Sequence, residues 1–510
     1  MAFLSESLTW AHRLAWAATK GATKHGATAG VLAQRRANVR TAAAQGVLGP
    51  GDPAPPPGVG DFYDYRGLAS DGEVAHLDMG ALGPAGFRLG WLLDPKRGPQ
   101  FEIGLPFDAL RRHAAVIGPA GSGKTAGLIV PWIVAALRGG HSVVALDVKG
   151  DLLDAIRGFA ARSGPIGVPV GKWDYTDPAH SVRWPWLAEL KSDDQIDAAV
   201  TAILGRESKQ SSADPFFYRR DWQLLRGLLR LTTGTLMPGK VKPSLLGRAL
   251  ADRDYLVGAA NAFPNAPGAA DIMATLGRVD DADYAKVASG VATAVAKLDS
   301  PAIDAVCEPD PNRAFTFDML LSKPTLLVVA APLSGGLTAR FLSTIFLNLL
   351  VRRMFAQFGK SATHTFLAID EAPRIVDRFD FEEVLSVARS AGVSVVLAAQ
   401  DVAQFKDENE RSTILTNCAT YVSLSGASPL SVKFLTERLG KHRVSALDLS
   451  HSTGGGLLGT HGGGHRIDMQ DVLAEREIAH PPFGPHCAIA HIHGAELGIT
   501  AKPLLVDMTI

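Results

Sequence analysis

Cysteine is scarce. There are three in 510 residues, Cys307, Cys418 and Cys487, far apart and with no C-x-x-C pair. That pattern argues against a disulfide framework or a zinc knuckle and fits a reducing compartment. Excess charge is absent as well: lysine plus arginine and aspartate plus glutamate number 51 each. Bulk charge therefore favours no polyanion, and any basic surface must be local. No uncharged apolar run approaches the roughly 20 residues that a spanning helix needs. The nearest stretch, Ala126 to Leu137, is interrupted by Pro131. Neither a signal peptide nor an internal repeat is evident. The expectation is a chain without membrane spans, in contact with a membrane surface at most.

The length allows two to four domains, and a hydrophobic content of 46% allows large cores. Residues 1–45 read as a basic helical arm, with Arg13, Lys20, Lys24, Arg35, Arg36 and Arg40 against the single acid Glu6. Such an arm can dock on anionic lipid or nucleic acid, or simply be solvated. Residues 46–60 form a Pro/Gly linker. Residues 61–171 read as a β-rich lead-in and the first part of an α/β core. The stretch 172–318 is helix-rich and interrupts the strand–helix alternation, as an inserted all-α domain would. Residues 319–510 resume the core and carry a Gly/His-rich loop at 451–465. Expected strands are 114–117, 142–146, 325–330, 363–369, 393–399 and 421–424. An amphipathic helix is expected at about 338–357 and a shorter one at about 380–391. Strands alternating with helices predict a doubly wound, largely parallel sheet.

What the chain does have is a complete G-x-x-x-x-G-K-[ST] pattern: Gly118, Pro119, Ala120, Gly121, Ser122, Gly123, Lys124 and Thr125. An apolar strand precedes it and an apolar helix follows. Glycines let backbone N–H groups curl round phosphate oxygens, and the helix N-terminus adds a favourable dipole. Lys124 would reach the β- and γ-phosphates of ATP, and Thr125 would hold Mg²⁺. A second apolar strand ends in Asp147-Val148-Lys149-Gly150-Asp151. Asp147 and Lys149 could stand behind the metal and phosphate or only fix the turn.

The strand Thr365 to Ile369 delivers Asp370 and Glu371 to its end, a Walker B pattern. Asp370 would bind Mg²⁺ through water, and Glu371 would polarise the attacking water. Arg389 lies at the end of the next helix, beside its buried stripe. It reads either as a finger to a neighbour's γ-phosphate or as a helix cap. Gln400 ends the strand Val393 to Ala399 and reads as a γ-phosphate sensor or as a loop amide.

Taken in order, GPAGSGKT at 118–125, LDVKGD at 146–151, SVRWPW at 181–186, FLAIDEA at 366–372, VARSAGVSVVLAAQD at 387–401 and TILTNCATYVSL at 413–424 resemble the TraG/TraD class of type IV coupling proteins. These are the FtsK/HerA-like conjugation ATPases. The resemblance spans about 113–440. It implies a hexameric RecA-like motor that hydrolyses ATP with Mg²⁺ and moves DNA or a DNA–protein complex. Partners would be DNA, relaxosome and secretion-channel proteins, and the place a bacterial cytoplasm with recruitment to the inner face of the membrane. It assigns Lys124 and Thr125 to Walker A, Asp370 and Glu371 to Walker B, Arg389 to the arginine finger and Gln400 to the γ-phosphate sensor. It makes 172–318 the all-α domain that faces relaxosome and DNA. Two departures stand: members commonly carry N-terminal transmembrane helices, and Trp186 sits where Asn-Pro-Leu is common.

Two weaker signals remain. Helix 216–231 is expected to bury Phe217, Leu224, Leu225, Leu228 and Leu229. Its other side would offer Arg219, Arg226 and Arg230 to phosphates or to solvent. The C-terminal His480, His486, His491 and His493 with Cys487 do not match a known zinc spacing.

Overall fold

The computed structural model describes residues 67–509 apart from 96, 207–214, 237–241, 359–362, 452–460, 482–483 and 495–496. The expected N-terminal arm and Pro/Gly linker lie outside the described residues. Most strands of the central sheet are runs rich in Val, Ile, Leu and Ala, as suits positions covered on both faces, and thirteen strands are described. They are β1 (Phe87–Asp94), β2 (Gly98–Leu105), β3 (Ala114–Ile117), β4 (Ser142–Asp147), β5 (Val170–Trp173), β6 (Leu326–Ala330), β7 (Thr365–Ile369), β8 (Val393–Ala399), β9 (Thr420–Leu424), β10 (Lys441–His451), β11 (His461–Asp471), β12 (Cys487–Ile492) and β13 (Leu504–Asp507). Eleven of them make one sheet in the order β2-β1-β13-β12-β9-β3-β8-β7-β4-β6-β5.

From β9 to β5 every pairing is parallel. From β9 to β2 every pairing is antiparallel. The parallel half is the expected α/β core. The antiparallel half joins the lead-in hairpin β1–β2 to the late strands β12 and β13. The phosphate-loop strand β3 and the Walker B strand β7 are not neighbours, because β8 lies between them. The tip of β8 therefore points between the two motifs.

Helices cover both faces. A π-turn, Thr125–Ile129, leads into α1 (Val130–Arg138), and α2 is Leu152–Ser163. Between β5 and β6 the described chain is a helical block. Its first long members are α3 (Asp193–Leu204) and α4 (Pro215–Leu231). After β6 come α5 (Gly336–Ala356), α6 (Phe381–Val387), α7 (Glu408–Asn417) and α8 (Pro429–Leu439). Helix α5 joins the helical block to the sheet. Trp173 of β5, Trp184, Phe317 and Phe346 form an aromatic knot, with the rings of Trp184 and Phe346 4.7 Å apart. Trp186 is fully buried in the same core.

Three expectations need correction. Helix α5 is not amphipathic: Phe341, Leu342, Ile345, Phe346, Leu349 and Leu350 are all buried, because it is covered by both the sheet and α3. Among the described residues it is also the one helix long and apolar enough to cross a membrane, and most of its apolar stretch is buried inside the protein. Phe217 is not buried. It lies in the first turn of α4, ahead of the stretch where Leu224, Leu225, Leu228 and Leu229 pack. The Gly/His-rich stretch is not all loop. β11 pairs antiparallel with β10 from Lys441↔Asp471 to His451↔His461. A glycine backbone has little preference of its own and takes up the register its partner strand offers.

Candidate active site

The phosphate loop turns on two glycines in the left-handed region, Gly121 at φ +76° and Gly123 at φ +93°. A side chain there would be strained. Lys124 is buried, and its Nζ donates to the carbonyl oxygens of Gly118 and Pro119, the latter at 3.0 Å. Burial lowers its pKa, opposed by the carboxylates of Glu371 and Asp370 and assisted by the charge of Lys149. All four side chains thus share one electrostatic neighbourhood.

Strand β7 brings Asp370 up beside the loop. Thr125 Oγ1 donates to Asp370 Oδ2 at 2.9 Å, across 245 residues of sequence. Glu371 sits at φ +59°, one of two non-glycine residues in the left-handed region among the described residues. Such a conformation costs on the order of 1 kcal/mol or more and persists only where the surroundings hold it. It ends the strand abruptly and turns the Glu371 side chain across the sheet edge. Gln400, at the tip of β8, donates from Nε2 to Glu371 Oε1 at 3.0 Å. The amide of Gln400 and the carboxylate of Glu371 are therefore one unit. The sequence shows both residues but not the contact, which depends on the order of β7 and β8.

Asp147 ends β4 at the same edge. Its Oδ1 accepts from the backbone N–H groups of Lys149 and Gly150, and its Oδ2 from that of Leu152. Burial raises its pKa against these bonds. Both oxygens are engaged in shaping the turn, which presents Lys149 exposed at the edge. Of its two readings, the geometry favours the turn.

Arg389 is elsewhere. It precedes β8, whereas Gln400 follows it, and seven residues of strand separate them. At ~3.3 Å per residue that is about 23 Å. Helix α6 ends at Val387, two residues before Arg389, and the Arg389 side chain makes no hydrogen bond or ion pair with any described residue, so any service to the helix end is by its charge alone. It lines a cavity of about 630 Å³ with Arg112, His113, Asn417 and Arg438. His113 braces this end of the sheet. Its Nδ1 accepts from Val395 N–H at 3.0 Å, and its Nε2 lies 3.1 Å from the Leu385 carbonyl oxygen, to which it donates.

The remaining candidates have structural partners. Arg226 pairs with Asp197, Asp193 and Asp271, and Arg230 with Asp193 and Asp271. The expected phosphate face on α4 is thereby neutralised at two of its three positions. Cys487 is buried in β12, and His491 accepts at Nδ1 from Arg438 Nε. Among the described residues no cluster of His, Cys, Asp and Glu could hold a metal ion.

A glycine loop that ends one strand, an acid pair that ends the next strand but one, and a glutamine at the tip of the strand between them, bonded to the second acid, define a RecA-like P-loop ATPase, here with a helical insertion. A family model described as Type IV secretory system Conjugative DNA transfer matches residues 83–459. This chain belongs to that family. No curated protein matches it. Among solved structures it is similar to the bacterial conjugative coupling protein TrwBdeltaN70 in its unbound form, at 19% identity and a TM-score of 0.60, over 80% of this chain and 87% of that one. The plasmid coupling protein TrwB in complex with ADP and Mg²⁺ matches at 18% identity and 0.60, over 80% and 87%. The same protein with the non-hydrolysable ATP analogue ADPNP matches at 18% and 0.60, over 80% and 88%. At these identities the likeness is one of fold.

Proposed function

We propose that the protein is a DNA-stimulated ATPase that works as a ring, a hexamer by the family's pattern, and drives DNA or a DNA–protein complex towards a secretion channel. The observation that carries this reading is the joined set Thr125–Asp370 and Glu371–Gln400 at one sheet edge. Thr125 and Asp370 offer two oxygens 2.9 Å apart, a donor set that suits Mg²⁺, which prefers oxygen ligands and keeps some of its water. Bound there with ATP, Mg²⁺ would offset charge on the phosphates. Lys124 would leave the loop carbonyls for phosphate oxygens. Glu371 would take a proton from the attacking water, and Gln400 would hold that carboxylate in place and register whether a γ-phosphate is present.

Arg389 completes the site from the next subunit. Its distance from its own Gln400 supports a role in trans, and its lack of a partner suits a cation kept for a neighbour's phosphate. Hydrolysis would then require assembly. By this reading the protein acts at the cytoplasmic face of a bacterial membrane, reached by recruitment.

Steady-state ATPase of the purified protein, with and without single- and double-stranded DNA, tests the proposal beside a Lys124→Ala control. Stimulation by DNA that vanishes in the control is expected. Activity abolished by Lys124→Ala yet indifferent to every DNA would replace the DNA motor with a secretion ATPase that handles protein.

A further inference from the structure

Arg389 is placed by its backbone alone. No described residue bonds its guanidinium, whereas the other two arginines that line its cavity are held. Arg438 donates to the carbonyl oxygens of Leu415, at 2.9 Å, and Cys418, and Arg112 Nη1 donates to that of His493 at 2.8 Å. The turn that carries Arg389 is tight. Val393 N–H donates to the Ala388 carbonyl oxygen at 2.9 Å, Gly392 N–H donates to that of Arg389 at 3.3 Å, and Gly392 stands at φ +75°. These bonds close the turn on itself. Its direction is left to whatever grips its two flanks.

His113 grips both. It is buried, one residue ahead of β3 and remote from the turn in sequence. Its Nδ1 takes Val395 N–H in β8, and its Nε2 gives a proton to the Leu385 carbonyl in the last turn of α6, where helical donors run out. Arg389 lies between those two anchor points in the chain. A neutral imidazole accepts at one nitrogen while it donates at the other. Burial, opposed by the Leu385 carbonyl and assisted by the charge of Arg389, holds the His113 pKa down at about 4, so the ring keeps this form at pH 7. His113 itself stands at φ +64°, a conformation that persists only where the surroundings hold it. Its N–H donates to the Leu110 carbonyl oxygen at 3.1 Å, and its own carbonyl accepts from Thr420 N–H at 3.2 Å.

We propose that His113 is the positioning residue for Arg389: its imidazole staples α6 to β8 and so fixes the direction in which the arginine leaves the subunit. The inference rests on the trans reading of Arg389 above and names what aims it. A finger must meet a phosphate on another subunit within hydrogen-bond reach, and a misplacement of about 1 Å can cost on the order of 10²-fold in rate. The phosphate loop begins at the other end of β3, so nucleotide binding by the same subunit should not depend on the staple.

The test is steady-state ATP hydrolysis by the full chain, alone and in rings co-assembled from two differently tagged variants. His113→Asn keeps an acceptor near the Nδ1 position for Val395 N–H and loses the reach to Leu385. His113→Gln reaches Leu385 and loses the acceptor, which cuts the staple at its other end. Each alone should hydrolyse ATP about tenfold or more slowly. Affinity for ADP should stay within about twofold of the parent. Mixed in equal amounts with Glu371→Gln, each should recover roughly a quarter of the parent rate, because its intact base then meets an aimed arginine. Mixed with Arg389→Ala, neither should exceed the mean of the two components, since no subunit in that ring supplies an aimed arginine. An undiminished rate in both His113 variants overturns the proposal. So does the reverse pattern, recovery with Arg389→Ala and none with Glu371→Gln, which places the defect in the variant's own ATP site. Recovery with neither partner overturns it as well, and leaves His113 as a support of the fold only. If Glu371→Gln and Arg389→Ala fail to repair each other, the trans reading itself falls, and this inference with it.

Discussion

If Arg389 serves a neighbour, two inactive proteins should repair each other. Glu371→Gln removes the base but keeps the finger. Arg389→Ala keeps the base but removes the finger. Seven residues of β8 hold Arg389 and Gln400 at opposite ends of the strand, about 23 Å apart. An arginine side chain cannot cross that gap, so neither variant can rescue itself. In rings co-assembled from equal amounts, half of the subunits carry an intact base. Half of those face a neighbour with an intact arginine. About a quarter of all sites are therefore complete, and the mixture should recover roughly a quarter of the parent rate. Each variant alone should fall by a factor on the order of 10³–10⁵ in the arginine case and 10²–10⁴ in the base case. The assay is steady-state ATP hydrolysis by rings purified through two different tags, one on each variant. A mixed ring no more active than its parents refutes the trans geometry. So does full activity of Arg389→Ala in an intact oligomer.

Gln400→Ala frees the Glu371 carboxylate while leaving the phosphate loop untouched, so kcat should fall about tenfold or more with little change in KM for ATP; an unchanged kcat would remove Gln400 from the site. Stability should fall as pH drops. Burial holds His113 and His491 at pKa values of about 4 and His364 at about 3, below the ordinary 6.5. Between pH 6.5 and about 4 the unfolded chain binds protons that these rings refuse in the folded state, so folding weakens across that window. His113 alone contributes on the order of 3 kcal/mol, present above pH 6.5 and gone below about 4. Urea melts at pH 7 and pH 5 check this, and His113→Gln should flatten the difference; equal midpoints at both pH values would contradict it.

The parts of the site that lie on consecutive residues are legible in the sequence. A glycine-rich turn between strand and helix, or two acids after an apolar strand, carries its chemistry locally. The Gln400–Glu371 contact is not local, since it depends on β8 lying between β3 and β7. Asp147 shows why a motif alone is ambiguous. Ligand and turn-maker look alike until three backbone N–H groups are seen pointing at the carboxylate. Helix α5 departs from an amphipathic pattern because its apolar residues are buried against both the sheet and α3, which leaves only a narrow polar stripe with Arg340 and Arg352 partly exposed. Phe217 failed for the opposite reason, since an apolar residue at a helix start counts towards the buried stripe whether or not anything covers it. The antiparallel half of the sheet was the least legible. Its strands pair the beginning of the described chain with its last residues, and no window of sequence contains both partners.

That last pairing has a consequence for how the molecule is made. β13 lies between β1 and β12, with Trp91 opposite Asp507. Until Leu504–Asp507 leave the ribosome, the lead-in hairpin has no place to join the sheet. The phosphate-loop helix waits as well, since Met508 packs against Gly127 and the carbonyl oxygen of His486 accepts from Met508 N–H. Contacts spanning about four hundred residues close late and slowly. A chain still being translated would therefore expose the apolar edges of β1 and β12 that β13 later joins.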